Sequence, residues 1–192
     1  MVIARKSLVP LIADRARQLE PATAQRYRIV AEEEAGGTPM HAMVAGNVIA
    51  VLHKALRAAD RPYGVYTSDL KIKVGIAKGA YRFPDVAVVC GEPILEAGSA
   101  EVVTNPILII EVLSKGTAAE DLEKKPLEYE AIPSLKEYIV ISQDGPPVYV
   151  FRRGQEPWTQ ASAEVLAGID DTIRLESVRC EIAIKEIYRR HF

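Results

Sequence analysis

Two short stretches decide the fold, PDVAVVC at residues 84–90 and PILIIEVL at residues 106–113. Neither shows a polar face, and runs of this kind form central strands covered on both sides. Each nevertheless carries one carboxylate, Asp85 in the first and Glu111 in the second. Alternation along a strand puts Asp85, Ala87 and Val89 on one face of the first, and Ile109, Glu111 and Leu113 on one face of the second. An unpaired ionised carboxylate is strongly disfavoured in such surroundings, so each acid needs a compensating partner.

Upstream, Thr38 is a capping residue and Pro39 suits the first helical position. Val44, Val48, Val51, Leu52 and Ala55 then recur at helical spacing to about Leu56. Tyr63 to Val74 reads as extended, with Gly75 and Gly79 marking a turn or loop. Glu92, Glu96 and Glu101 belong to a polar excursion between the two apolar runs. Downstream, Thr117 and Glu120 form a capping box that opens a helix reaching about Ile132, interrupted by Pro126. Glu137–Ile141 and Val148–Phe151 flank Asp144-Gly145-Pro146-Pro147 and read as a hairpin. Beyond Arg152 the pattern weakens to short strands and a terminal helix near residues 182–190. This order implies an α/β layered domain, a mixed sheet flanked by helices.

The chain has 192 residues, which points to one domain, and at that size a core forms without disulfide or metal staples. Hydrophobic residues make up 48% and charged residues 26%, which excludes disorder of the whole. The formal charge of -2 argues against strong, sequence-blind binding of nucleic acid driven by charge alone. Cys90 and Cys180 lack zinc-ligand spacing and read as reduced core thiols. No stretch reaches the length of a membrane span and the opening residues lack a secretory apolar core, so a cytoplasmic protein with no membrane role is expected.

If the two apolar strands are neighbours with both acids on one face, the carboxylates stand close enough to share a cation. Hard oxygen ligands fit Mg²⁺ or Mn²⁺, completed by a carbonyl and water, and such an ion suits phosphodiester hydrolysis. A nearby lysine would steady the attacking water or the phosphate oxygens. The plain structural alternative is that Asp85 caps a turn and Glu111 pairs with a structural arginine or lysine.

Pro84-Asp85, Ile110-Glu111-Val112-Leu113-Ser114 with Thr117, then Asp121, Lys125 and Tyr129, and finally Glu137-Tyr138-Ile139-Val140 occur in a set order. This ordered set resembles the Uma-type endonucleases of the PD-(D/E)xK restriction-endonuclease-like superfamily, across about residues 27–152. The resemblance implies a three-layer α/β/α restriction-endonuclease-like domain with a central mixed sheet over residues 1–192. Residues 1–26 would be an N-terminal arm and 153–192 a C-terminal extension. It further implies a hydrolase, a metal-dependent endonuclease that cuts nucleic-acid phosphodiesters with a metal-activated water. Asp85 and Glu111 would be the ligands of Mg²⁺ or Mn²⁺, DNA the expected nucleic acid, and a homodimer the expected assembly. Leu113 occupies the position of the superfamily lysine, and the resemblance moves that role to Lys125 on the following helix. Pro126 disfavours helical geometry at Lys125, which leaves Lys124 and Lys115 as substitutes.

The same resemblance marks Glu33 within an acidic triplet, His41 and Tyr129 as additional site candidates. Asp69 is a third acid or a strand-end cap. A histidine in the first turn of a helix meets the positive dipole end and is expected to stay neutral. Arg61, Lys71, Lys73, Lys78 and Arg82 form a basic stretch upstream of Asp85, suited to phosphate contacts or to protecting an edge strand. The rival function is a catalytically inactive nuclease-like module that binds nucleic acid or protein.

Overall fold

The computed structural model describes residues 38–57, 62–75, 80–113, 118 and 120–190. The chain divides between Gly37 and Thr38, and the described residues belong to the second part. Helix α1 spans Pro39–Leu56 and starts where the Thr38 side chain accepts a hydrogen bond from the His41 N–H. Pro39 fills a position where a missing N–H breaks no helical hydrogen bond. Val44, Val48, Leu52 and Leu56 are buried at every fourth position, one stripe along the helix. Each contributes roughly 1.5–3 kcal/mol of transfer free energy, and together they seat α1 on one face of the sheet.

That sheet holds β1 (Tyr63–Thr67), β4 (Val86–Cys90), β6 (Pro106–Leu113), β7 (Glu137–Ser142), β8 (Val148–Arg152) and β9 (Glu164–Leu166). Their spatial order is β1-β4-β6-β7-β8-β9. Only β6 and β7 run parallel; the other neighbours are antiparallel. A parallel step needs a crossover, and this one carries a π-helical turn, Glu120–Lys124, followed by α2, Lys125–Glu130. A smaller sheet joins β2 (Lys71–Lys73) to β3 (Tyr81–Arg82) and β5 (Val102–Val103), in the order β3-β2-β5.

The two faces of the main sheet have separate cores. Val86, Val88, Leu108, Ile110 and Val112 meet α1 together with the hairpin β10 (Thr172–Leu175) and β11 (Cys180–Ala183) and the short α3 (Ile184–Ile187). Ala87, Ile109 and Leu113 point the other way, toward Leu122, Tyr129 and Ile72. On that side four rings stand in file. Tyr129 to Tyr138 is 4.9 Å between centroids, Tyr138 to Phe151 5.5 Å, and Phe151 to Trp158 6.3 Å. The expected α/β class with helices on both sides of a mixed sheet is observed.

Several local expectations change. The extended stretch at residues 63–74 breaks at a turn through Ser68 and Asp69 into β1 and β2. The expected terminal helix is present but short: Ile182 and Ala183 still belong to β11, and the helix covers only Ile184–Ile187. Cys90 and Cys180 are free but half-buried rather than core residues. Among the described residues, no helix is long and apolar enough to cross a membrane.

Candidate functional site

Strands β4 and β6 are sheet neighbours, with Val86 paired to Ile110. One step further along this antiparallel register, Asp85 falls opposite Glu111. Asp85 itself precedes β4, and its carboxylate continues the sheet in place of backbone: Oδ2 accepts the Val112 N–H at 2.8 Å. The Asp85 N–H lies 3.4 Å from Glu111 Oε2. The sequence therefore brings its two acids together through strand register.

His41, in the first turn of α1, reaches the same acid, with Nε2 3.1 Å from Asp85 Oδ2. The hydrogen bond to Asp85 raises the His41 pKa above its ordinary value and outweighs burial, which lowers it. The shift runs opposite to the one expected from the helix dipole alone. A carboxylate in direct contact exceeds the dipole end of the helix. The helix start is itself anchored, because Thr38 Oγ1 donates to Gln143 Oε1 at 2.7 Å, next to the end of β7.

Glu111 points to the α2 side of the sheet and is 4% exposed. Its Oε1 accepts from Lys125 Nζ at 2.9 Å and from the Tyr129 hydroxyl at 2.8 Å. Burial nevertheless pushes its carboxyl pKa up to about 7, against the opposing pull of Lys125. Burial works against the Lys125 charge too, but Glu111 and Asp121 overcome it and raise the Lys125 pKa. Tyr129 is held well above its ordinary value by burial, so it stays a donor.

Lys125 and Tyr129 are four apart on α2 and project together. Pro126 does not spoil this. An interior proline loses a hydrogen bond and crowds the carbonyl four residues earlier, and here the chain widens into a π-helical turn up to Lys124 before α2 begins. Pro126 thus falls in the first turn of α2, and Lys125 faces inward while Lys124 is exposed. Lys115 and Glu33 lie outside the described residues.

Among the described residues, each acid has one oxygen held by the protein and one with little to hold it. There Glu111 Oε2 has only the long contact to Asp85 N–H. No donor among the described residues reaches Asp85 Oδ1. Two hard oxygens at opposed positions of neighbouring strands fit Mg²⁺ or Mn²⁺, which are commonly held by one or two carboxylates with water and phosphate completing the shell. The described residues contain no cluster of three or more His, Cys, Asp or Glu able to hold a metal unaided, so any ion here would need that outside completion.

Asp69 lies in the exposed turn after β1, and no hydrogen bond or ion pair among the described residues joins it to these acids. The basic stretch is largely engaged elsewhere. Lys73 pairs with Glu96 at 2.7 Å, Lys71 stands over the Tyr81 ring at 4.4 Å, and Arg82 grips Glu128 at 2.8 Å and Glu120 at 2.7 Å. Arg61 and Lys78 fall outside the described residues. Sequence reasoning assigned no role to Asp121, which is 2% exposed and has Oδ1 2.6 Å from Lys125 Nζ. The signal was available: an acid four residues before a lysine on one helical segment.

Comparison with known proteins follows the same lines. The chain is 37% identical over 109 residues to sll1609, described as an uncharacterized protein, of Synechocystis sp. PCC 6803, a match covering 57% of this chain and 60% of that protein. A second uncharacterized protein of the same organism, slr1290, is 27% identical over 155 residues, covering 80% of this chain and 77% of the other. A crystal structure described as "a putative nuclease belonging to DUF820", from Anabaena variabilis ATCC 29413, superposes with a TM-score of 0.57 at 18% identity, over 79% of this chain and 82% of that one. At that identity the likeness is one of fold. Residues 14–183 match the model of the Uma2 family, described as "Putative restriction endonuclease", and the chain belongs to that family.

Proposed function

We propose that the protein is a divalent-metal-dependent endonuclease that hydrolyses phosphodiester bonds of nucleic acid, with DNA as substrate. The observation that carries this reading is the constellation of Asp85 and Glu111 on opposed register positions with Lys125 and Tyr129 on Glu111 Oε1. Asp85 and Glu111 would hold Mg²⁺ or Mn²⁺ through Asp85 Oδ1 and Glu111 Oε2. A bound ion of this kind neutralises charge developing on a phosphoryl group and makes water more acidic.

The chain's own residues supply the rest. Lys125 stays cationic beside the acids and offers its ammonium to a phosphate oxygen or to the attacking water. Tyr129 fixes Glu111 Oε1, so that Oε2 keeps one orientation. His41 and the Val112 N–H fix Asp85 Oδ2 in the same way, leaving Oδ1 to the ion. A symmetric pair of such subunits would address two strands of a duplex.

Calorimetric titration with Mn²⁺ and cleavage assays on single-stranded, double-stranded and branched DNA test the reading. The unaltered protein is expected to bind Mn²⁺ and cut, and Asp85→Ala to do neither. Ion binding unchanged in Asp85→Ala would overturn it. A second reading, a module that binds without cutting, draws support from Leu113, an apolar side chain packed in the core at the position where the superfamily pattern has its lysine. Retention of DNA without cleavage in the presence of Mn²⁺ would favour it.

A further inference from the structure

Lys125 is the only cation the described residues set against the two acids besides His41, and a long flexible side chain needs something to hold its ammonium in place. Glu111 supplies one contact, at 2.9 Å from Oε1. Asp121 supplies another, from the turn before α2, at 2.6 Å from Oδ1. That oxygen is buried, and among the described residues the Lys125 ammonium is the donor group nearest it, although the contact lacks hydrogen-bond alignment. An unpartnered buried carboxylate is costly, and the ammonium is the group that offsets it.

Asp121 is in turn fixed from two sides. The Tyr138 hydroxyl donates to its backbone carbonyl at 2.9 Å. Arg82 bridges the residues around it, reaching Glu120 in the π-helical turn and Glu128 in α2. The widened turn therefore presents its acid four residues before the lysine, while its backbone is held to β7 by Tyr138 and its Glu120 side chain to β3 by Arg82.

We propose that Asp121 is a positioning residue: it tethers the Lys125 ammonium beside Glu111 and keeps it from swinging out to solvent, without itself taking a metal ion. The proposal deepens the nuclease reading, and its catalytic half rests on that reading; the tether itself does not.

The test begins with metal-free full-length protein and reductive methylation by formaldehyde and a borohydride, with Lys124 and Lys125 resolved by peptide fragmentation. In the unaltered protein Lys125 is modified more slowly than exposed Lys124. Removing the Asp121 charge breaks a buried ion pair, enough to shift the held fraction about tenfold, so Asp121→Asn speeds Lys125 modification by about that factor relative to Lys124. In Glu111→Gln the Asp121 tether remains and Lys125 stays protected. Equal labelling of Lys125 in Asp121→Asn and in the unaltered protein overturns the proposal. So does release of Lys125 by Glu111→Gln alone, a variant that serves if Asp121→Asn fails to fold.

Mn²⁺ titration and cleavage kinetics complete it. Asp121→Asn keeps its Mn²⁺ affinity, whereas a loss matching that of Asp85→Ala makes Asp121 a ligand and overturns the tether. Cleavage by Asp121→Asn slows about 10- to 100-fold in kcat with KM unchanged, as expected of a misplaced group. In a Lys125→Met background the same change has less than about a twofold further effect, because the two act as one unit. Absence of Mn²⁺-dependent cleavage in the unaltered protein breaks the nuclease reading, and the labelling result still decides the tether.

Discussion

Two buried glutamates on adjacent parallel strands meet different fates. Glu137 opens β7 and is 1% exposed; Glu111, on β6, is 4% exposed. Glu137 Oε1 accepts the Glu176 N–H at 3.1 Å, Oε2 accepts the Ser177 N–H at 2.9 Å, and the Ser177 hydroxyl donates to Oε2 as well. Arg152 adds its charge 3.4 Å from Oε1. Both oxygens are engaged, and the acid pins the segment after β10 to the main sheet. Among the described residues, Glu111 has two strong donors on Oε1 and only a long contact on Oε2. Burial is the same for both, so burial does not mark a functional acid. What sets Glu111 apart is the weaker satisfaction of one buried oxygen, a cost that a ligand or a proton would remove.

Removing the charge of each acid should separate the two roles. Glu111→Gln is expected to abolish Mn²⁺ binding by calorimetry, a loss of at least about 4 kcal/mol if affinity falls 1,000-fold, with folding intact. Glu137→Ala should do the reverse, since it takes their shared acceptor from the Glu176 and Ser177 N–H groups and the Ser177 hydroxyl and one carboxylate from Arg152. Its expected cost is about 3 kcal/mol in urea unfolding, with Mn²⁺ affinity preserved. Metal loss in Glu137→Ala, or marginal stability in Glu111→Gln, would erase the distinction.

The proton gives a sharper version of the same contrast. Glu111 has a folded-state pKa of about 7, above its unfolded value of 4.5, so the folded state holds this proton more tightly. Its contribution to stability is complete below the unfolded pKa and is lost as pH rises through the folded one, by on the order of 3 kcal/mol. Urea titrations of metal-free protein between pH 4.5 and 7.5 should show that decline superimposed on other groups, and Glu111→Gln should flatten it. An unchanged slope in the variant would remove Glu111 as its source. The smallest effect belongs to His41→Ala, which frees Asp85 Oδ2 from one of its two fixed partners. Mn²⁺ affinity should fall about tenfold, as for other groups that orient a ligand.

The features that could be read from sequence were those set by local pattern. The apolar runs at residues 84–90 and 106–113 marked central strands, and Thr38-Pro39 marked the start of α1. The Pro84-Asp85 step and the lone acid in the second run marked Asp85 and Glu111, because an acid in an oily strand is conspicuous. What separates Glu111 from Glu137 was not readable, since it depends on which donors a distant turn delivers. The inward aim of Lys125 depended on how the chain accommodates Pro126, and a π-helical turn leaves no periodic signature in so short a segment. The raised His41 pKa and the engagement of Arg82 and Lys73 also arise from partners far away in the chain. The β10–β11 hairpin was missed because its strands are each four residues long, too few for alternation to be distinguished from a helix end.

The file of rings on the α2 side has a practical consequence. Trp158 is the chain's single tryptophan, wholly shielded from solvent, and the row that leads away from it ends at Tyr129, whose hydroxyl holds Glu111. Light absorbed by those tyrosines can pass by resonance to one indole, whose emission then reads the integrity of that layer. The protein thus contains its own optical gauge, one that needs no dye.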